Sequence, residues 1–249
     1  MRHRFLLKEL IIKGIRLKYR RSYLGIVWSL IEPLMNTIVL VIVFGTLFNR
    51  GRDFSLYIIA GRLIYSGFSS GTKAAATSIR RNASMIKKVY VPKYLYPISQ
   101  VLFNFVIFLI SLSVMVLVQI YSGVVPTYHV WQILPALAIH LVLTMGVGMI
   151  LSTLSVFFRD IEYLWNVLLT MIMYMCAIFY PIEKLEKSGF AWILKYNPLY
   201  CIIDIFRGAV LGYNGTAWEY GYSIIAAAVC LLVGLALFKW KQDEFILHI

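Results

Sequence analysis

From residue 94 to residue 158 the chain carries no Asp, Glu, Lys or Arg. Those 65 residues far exceed the roughly 20 that an α-helix needs to cross a bilayer core. A water-soluble helix of that length would need a polar face, and this run has none, so it reads as successive membrane-crossing helices. The turn signal Tyr121-Ser122-Gly123, followed by Pro126, divides it into spans at 98–121 and 131–157.

Composition agrees: 61% of the residues are hydrophobic and 14% charged, where soluble domains carry roughly 25% charged residues. At a mean hydropathy of +0.79, too few polar side chains exist to cover a 28.6 kDa globule. Three further apolar runs have the right length: 26–48, interrupted only by Glu32, then 163–182 and 220–238. A sixth, 56–79, contains Arg62 and Lys73, which a lipid-facing helix would not tolerate. Here Arg62, Ser66, Ser69, Lys73, Thr77 and Arg80 recur at intervals of 4, 3, 4, 4 and 3, one stripe of a helix. Leu63, Ile64, Phe68, Ala74 and Ala75 lie on the opposite side. Such a span belongs inside a bundle or along a water-filled path.

The expected fold is therefore an all-α integral membrane protein with six spans. Bases concentrate before the first span (Arg2, Arg4, Lys8, Lys13, Arg16, Lys18, Arg20, Arg21), in the second connection (Arg80, Arg81, Lys87, Lys88, Lys93), at Arg159, and at Lys239 and Lys241. The alternate connections are poorer in bases or balanced by acids, so both termini are expected to be cytoplasmic. Residues 1–25 are expected to remain as a basic amphipathic helix on the inner surface; the run that follows is too long for a signal peptide. Before the last span, 183–213 is too apolar for a solvated loop and too punctuated for a span. Leu199, Ile202, Ile203, Phe206 and Val210 recur at helical spacing beside a possible Asp204/Arg207 pair. Two short re-entrant helices dipping into the outer leaflet are expected there.

Several chemistries find no support. The net charge of +13 comes from bases between apolar runs, with no RNA-binding aromatic motif or zinc-finger spacing, so no nucleic-acid partner is expected. Cys176, Cys201 and Cys230 stand singly, His3, His129, His140 and His248 are scattered, and no metal site is expected. No phosphate-binding GxxxxGK[ST], HExxH or GxSxG occurs; Gly67-Phe-Ser-Ser-Gly71-Thr72-Lys73 only imitates the first. The chain is not expected to be an enzyme or to bind a cofactor.

In combination, several segments resemble the membrane subunits of type-2 ABC exporters, in particular those exporting O-antigen, teichoic acid and related lipid-linked glycans. They are Leu17-Lys18-Tyr19-Arg20-Arg21-Ser22-Tyr23-Leu24-Gly25 leading into Trp28-Ser29-Leu30-Ile31-Glu32-Pro33-Leu34, Phe157-Phe158-Arg159-Asp160-Ile161, Phe179-Tyr180-Pro181 and Tyr196-Asn197-Pro198-Leu199. The resemblance covers nearly the whole chain and makes it one ABC type-2 transmembrane domain over residues 1–249. It implies a second copy of the chain and two copies of a separate ATPase subunit that binds ATP and Mg. The cargo would be a lipid-linked polymer moved outward across a bacterial plasma membrane.

The resemblance also assigns parts. A coupling helix at 82–91, comprising Asn82, Ala83, Ser84, Met85, Ile86, Lys87, Lys88 and Val89, would dock into the ATPase. Asn82 or Ser84 can cap its start, Met85 and Ile86 offer apolar anchors, and Pro92 stops it; an ordinary basic loop against headgroups is the alternative. Arg159 and Asp160 would form an inner gate or a merely structural pair. For the translocation path, Trp28, Ser29, Glu32 and Asn36 share a face of the first span, and Tyr163, Asn166, Thr170 and Tyr174 share one of the fifth. Sugar rings stack on such aromatics while hydroxyls take hydrogen bonds; interhelical glue is the other reading. Glu32 should face an arginine or an aqueous path. A permease for a small amphiphile or drug is the alternative function. An intramembrane glycosyltransferase would need clustered acids, and only Asp160 and Glu162 lie on the inner side.

Overall fold

The computed structural model describes residues 2–19, 25–48, 53–88, 91–125, 127–180 and 191–248. All regular structure in them is helical: α1 (Arg2–Tyr19), α2 (Trp28–Phe48), α3 (Asp53–Arg81), α4 (Ala83–Lys88), α5 (Leu95–Ser122), α6 (Ile133–Phe157), α7 (Ile161–Met175), α8 (Ala191–Lys195), α9 (Pro198–Leu211), α10 (Ala217–Lys241) and α11 (Phe245–His248). Short 3-10 turns, Gly25–Val27 and Tyr128–Gln132, precede α2 and α6.

Three helices are long and apolar enough to cross a membrane: Leu95–Ser122, Tyr128–Phe157 with its 3-10 lead-in, and Ala217–Lys241. Their outward faces are greasy. Leu109, Val116, Leu117 and Ile120 of α5 and Ile225, Val229, Leu232 and Val233 of α10 are all exposed. Surface of that kind is matched by lipid rather than water. Between α6 and α10 the backbones nearly touch. A methyl group on Gly146 would lie 2.5 Å from the Leu231 nitrogen, and one on Gly234 would lie 2.6 Å from the Gly146 carbonyl. Small residues allow this approach, which gives dispersion contacts and backbone proximity in a medium without a hydrophobic drive.

α3 is the centre of the bundle, packed by α5, α6, α9 and α2. Leu56, Ile59, Leu63, Ile64 and Phe68 enter the main core, yet the polar stripe on the same helix stays clear of it: Ser66, Ser70 and Lys73 are exposed. A smaller core closes the end of the bundle that carries α4 and α11, the basic end. It contains Ile79, Ile86, Tyr96, Met149, Val156, Phe238 and Phe245.

Two short helices, α8 and α9, precede α10, as the sequence suggests. α9 is buried among α3, α6, α10 and the 128–132 turn, with Leu199–Ile203 and Ile205–Val210 all inside. The first part of the expected stretch, 183–190, lies outside the described residues. Asn197 caps α9 by accepting from the amides of Leu199 and Tyr200, and Pro198 occupies its first turn. Arg207 does not pair with Asp204. It is fully buried, lies 3.5 Å from the Tyr57 ring centroid, and donates Nε to the Tyr57 carbonyl (3.2 Å) and Nη2 to the Ala177 carbonyl (3.0 Å). Asp204 instead accepts from the Tyr213 hydroxyl at 3.0 Å.

Those bonds also explain why α7 stops at Met175 although the apolar sequence runs on to Ile182. Side chains take the carbonyls that further helix would use. Asn197 donates to Met175, Arg207 and Tyr57 donate to Ala177, Tyr57 also donates to Tyr180, and the Tyr180 hydroxyl donates to Tyr174. Ala177 adopts a left-handed φ of 46°. At 15 residues, α7 is about 22 Å long, shorter than a bilayer core of about 30 Å.

Candidate functional site

Proline in α2 shapes the site. Pro33 lies inside α2 and has no N–H for the carbonyl of Ser29, four residues back. Ser111 of α5 donates its hydroxyl to that carbonyl at 2.9 Å, pinning α2 against α5. Beside this contact opens a cleft of about 180 Å³. α2 contributes Trp28, Ser29, Glu32, Pro33 and Asn36; α3 contributes Arg62, Leu63, Ser66, Gly67 and Ser70; α5 contributes Asn104, Ile107, Phe108 and Ser111. Trp28, Ser29, Glu32 and Asn36 of α2 therefore line one space.

Glu32 and Arg62 both line that cleft but make no direct ion pair. Arg62 leans toward α7, with Nη1 3.2 Å from Met173 Sδ and its guanidinium 5.7 Å from the Tyr65 ring centroid. Glu32 is left exposed toward the opening.

A second cleft, of about 370 Å³, lies between α3 and α7 nearer the basic end. Its walls are Ser70, Lys73, Ala74, Ala76, Thr77 and Arg81 from α3, and Glu162, Trp165 and Asn166 from α7. Ser70 belongs to both clefts, so the polar stripe of α3 forms one continuous track from Arg62 to Arg81. The stripe was legible from its period. That Asn104, Ser111 and Trp165 join it was not, because they come from two other helices and no local spacing links them to α3.

Polar bonds fasten α7 to α3. Tyr65 donates its hydroxyl to the Leu169 carbonyl (2.8 Å), the Trp165 indole N–H donates to Thr72 Oγ1 (3.0 Å), and Arg80 pairs with Glu162. Arg80–Glu162 is a charge contact between helices at the basic end. Arg159 and Asp160, expected to be the gate pair, are both exposed, and neither joins an ion pair among the described residues.

The polar-aromatic face of α7 points elsewhere. Tyr163, Asn166, Thr170 and Tyr174 are all exposed, with Tyr163 at 75% and Tyr174 at 58%, so within one copy they are not helix-packing residues. Of the four, Asn166 lines the second of these two clefts, and neither tyrosine lines the cleft of the α2 set.

The expected docking helix contains α4, Ala83–Lys88, with residues 89 and 90 outside the described residues. Asn82 does not cap it; its amide donates back to the Ser78 carbonyl (2.8 Å). Ile86 is buried in the chain's own basic-end core and is no free anchor, whereas Ser84, Lys87 and Lys88 are exposed, Ala83 and Met85 are half-buried, and Val89 lies outside the described residues. No group of three His, Cys, Asp or Glu side chains that could hold a metal occurs among the described residues.

A helical bundle with membrane-length apolar helices and a charged polar track along its central helix defines a polytopic membrane protein of the transporter class. The chain belongs to the ABC-2 type transporter family, whose model matches residues 6–211. It is similar to the O-antigen export system permease protein RfbA of Klebsiella pneumoniae (30% identity, covering 94% of this chain and 90% of the relative). It is also similar to RfbA of Myxococcus xanthus (26%, covering 98% and 95%) and to the polysialic acid transport protein KpsM of Escherichia coli (21%, covering 96% and 94%).

Proposed function

We propose that this chain is the transmembrane permease subunit of an ATP-driven exporter that moves a lipid-linked polysaccharide outward across the bacterial plasma membrane. The observation that carries the reading is the polar track on α3, which faces clefts rather than lipid inside a bundle otherwise suited to lipid. Hydroxyls, amides and single aromatics along such a track meet repeating sugars without a fixed register. The names of the relatives, all exporters or transporters of surface polysaccharides, supply the cargo class.

In this reading the chain crosses the membrane six times with both termini inside, α3 and α7 counting as spans, and α8 and α9 form the outer closure. Two copies associate through the exposed faces of α2 and α7, and α4 contacts a separate ATPase through its exposed residues. The ATPase binds ATP and Mg; this chain takes no cofactor. Deleting the gene should abolish surface polymer while assembled polymer accumulates inside, and re-expression should restore it. Normal surface polymer after deletion, with loss of efflux of a small amphiphile instead, would overturn the reading.

A further inference from the structure

We propose that Asp204 and Glu219 share one proton and form a pH-sensitive latch that fastens α9 to the start of α10, at the end of the bundle away from α4. The latch rests on the export reading, in which α8 and α9 form the outer closure, and adds a condition under which that closure loosens.

α9 and α10 form a hairpin joined by residues 212–216. Each carboxyl group is held from its own side. Asp204 Oδ1 accepts from the Tyr213 hydroxyl (3.0 Å), and Glu219 Oε2 accepts from the Thr216 amide (2.7 Å) within a capping box. Both side chains belong to half-buried residues, and the two carboxyl groups lie within hydrogen-bond reach of each other. Ionised carboxylates only accept, so a bond between two of them needs a proton on one.

No cation stands in for that proton: neither residue joins an ion pair among the described residues. Arg207, further along α9, turns its guanidinium to the Tyr57 and Ala177 carbonyls, and Lys195 of α8 sets its ammonium over the Trp218 ring at 5.2 Å. His129 of the 128–132 turn is bonded to Thr127 Oγ1 (3.0 Å), and α6, packed along α10, has no Asp, Glu, Lys or Arg. The phenols of Tyr57, Tyr200 and Tyr213 and the Cys201 thiol are the ionisable groups that complete the surroundings, and none of them brings positive charge. The N-terminus of α10 favours one negative charge beside it, but a second in contact with the first is repelled.

With the proton in place the pair is a hydrogen bond across the hairpin. Without it two like charges meet at one point, and α9 is pushed from α10 while Arg207 still holds it to α3. The folded hairpin keeps a proton that separated carboxyls in the unfolded chain give up at lower pH, so the stability it contributes is full on the acid side and falls as pH rises.

Full-length chain in phosphatidylcholine nanodiscs is melted at intervals between about pH 5 and pH 9, beside Glu219→Gln. Glutamine keeps the capping box and gives Asp204 a permanent N–H donor, so it imitates the protonated pair. The two should melt together at the acid end. At the alkaline end wild type should melt about 3–10 °C lower, the scale of one lost hydrogen bond to a charged group. Asp204→Asn should behave as Glu219→Gln does, and it decides if the latter folds poorly. His129→Gln should keep the wild-type pH dependence. Amide exchange, corrected for its intrinsic pH dependence, should accelerate within residues 199–222 of wild type as pH rises and stay slow there in Glu219→Gln.

Parallel melting curves for wild type and Glu219→Gln overturn the latch. So does a pH dependence that vanishes in His129→Gln, or exchange that accelerates evenly over the chain. The expected pH response in a chain that exports no polymer would refute the export reading and leave the latch standing.

Discussion

Ser111 Oγ donates to the Ser29 carbonyl at 2.9 Å, across the α2–α5 interface and at the position where Pro33 withdraws the helix's own donor. The bond satisfies a buried carbonyl and fixes the α2 face that bears Glu32 and Asn36. Ser111→Ala should destabilise the folded chain by about 1–3 kcal/mol, the cost of a buried polar group left without its partner. Pro33→Ala should relieve much of that cost by restoring the internal helix bond. Thermal unfolding in detergent of the two single variants and the double variant measures the coupling; additive effects would separate the two residues.

Arg207 ties α9 to α3 and to the turn that ends α7. Arg207→Met should cost about 1–3 kcal/mol, the penalty for buried carbonyls that lose a donor, and reduce the yield of folded protein. Arg207→Lys should rescue poorly, because an ammonium cannot stack flat on Tyr57 while reaching both carbonyls. A lysine variant as stable as wild type would show that charge alone is required.

For α4, burial divides the residues into two kinds. Ile86→Asp should destabilise the permease itself, since an unpaired carboxylate would enter the core around Phe238 and Phe245. Lys87→Glu with Lys88→Glu should leave its melting unchanged and weaken retention of the ATPase during purification. Full retention by the double Glu variant would place the ATPase contact elsewhere.

Tyr163 and Tyr174 are exposed within one copy, so changing both to Ala should spare the fold, unlike the loss of about 3–5 kcal/mol for a core aromatic. Polymer export per folded complex should fall, with Phe or Trp substitutions milder because stacking persists. Export normal per folded complex would remove both residues from the path.

The sequence by itself determined that the chain is helical and made for lipid, because backbone groups in a bilayer must be satisfied within each segment and the apolar runs have helix lengths. It also determined local devices that act within a few residues. The α3 stripe follows from the 3.6-residue period. Pro33 marked a defect in α2, but nothing nearby in sequence named Ser111 as its partner.

Tertiary structure decided whatever depended on neighbours. Period shows which residues share a face and is silent on what that face meets, so Ile86 looked like an anchor for a partner and is core of this chain. Arg159 and Asp160 are adjacent in sequence, yet an interhelical charge pair forms between Arg80 and Glu162, 82 positions apart. The fifth apolar run continues past Met175, but the helix stops there because Tyr57, Asn197 and Arg207 offer its carbonyls better-placed donors. A hydrogen bond is satisfied by whichever donor the fold delivers, and composition does not record which one that is.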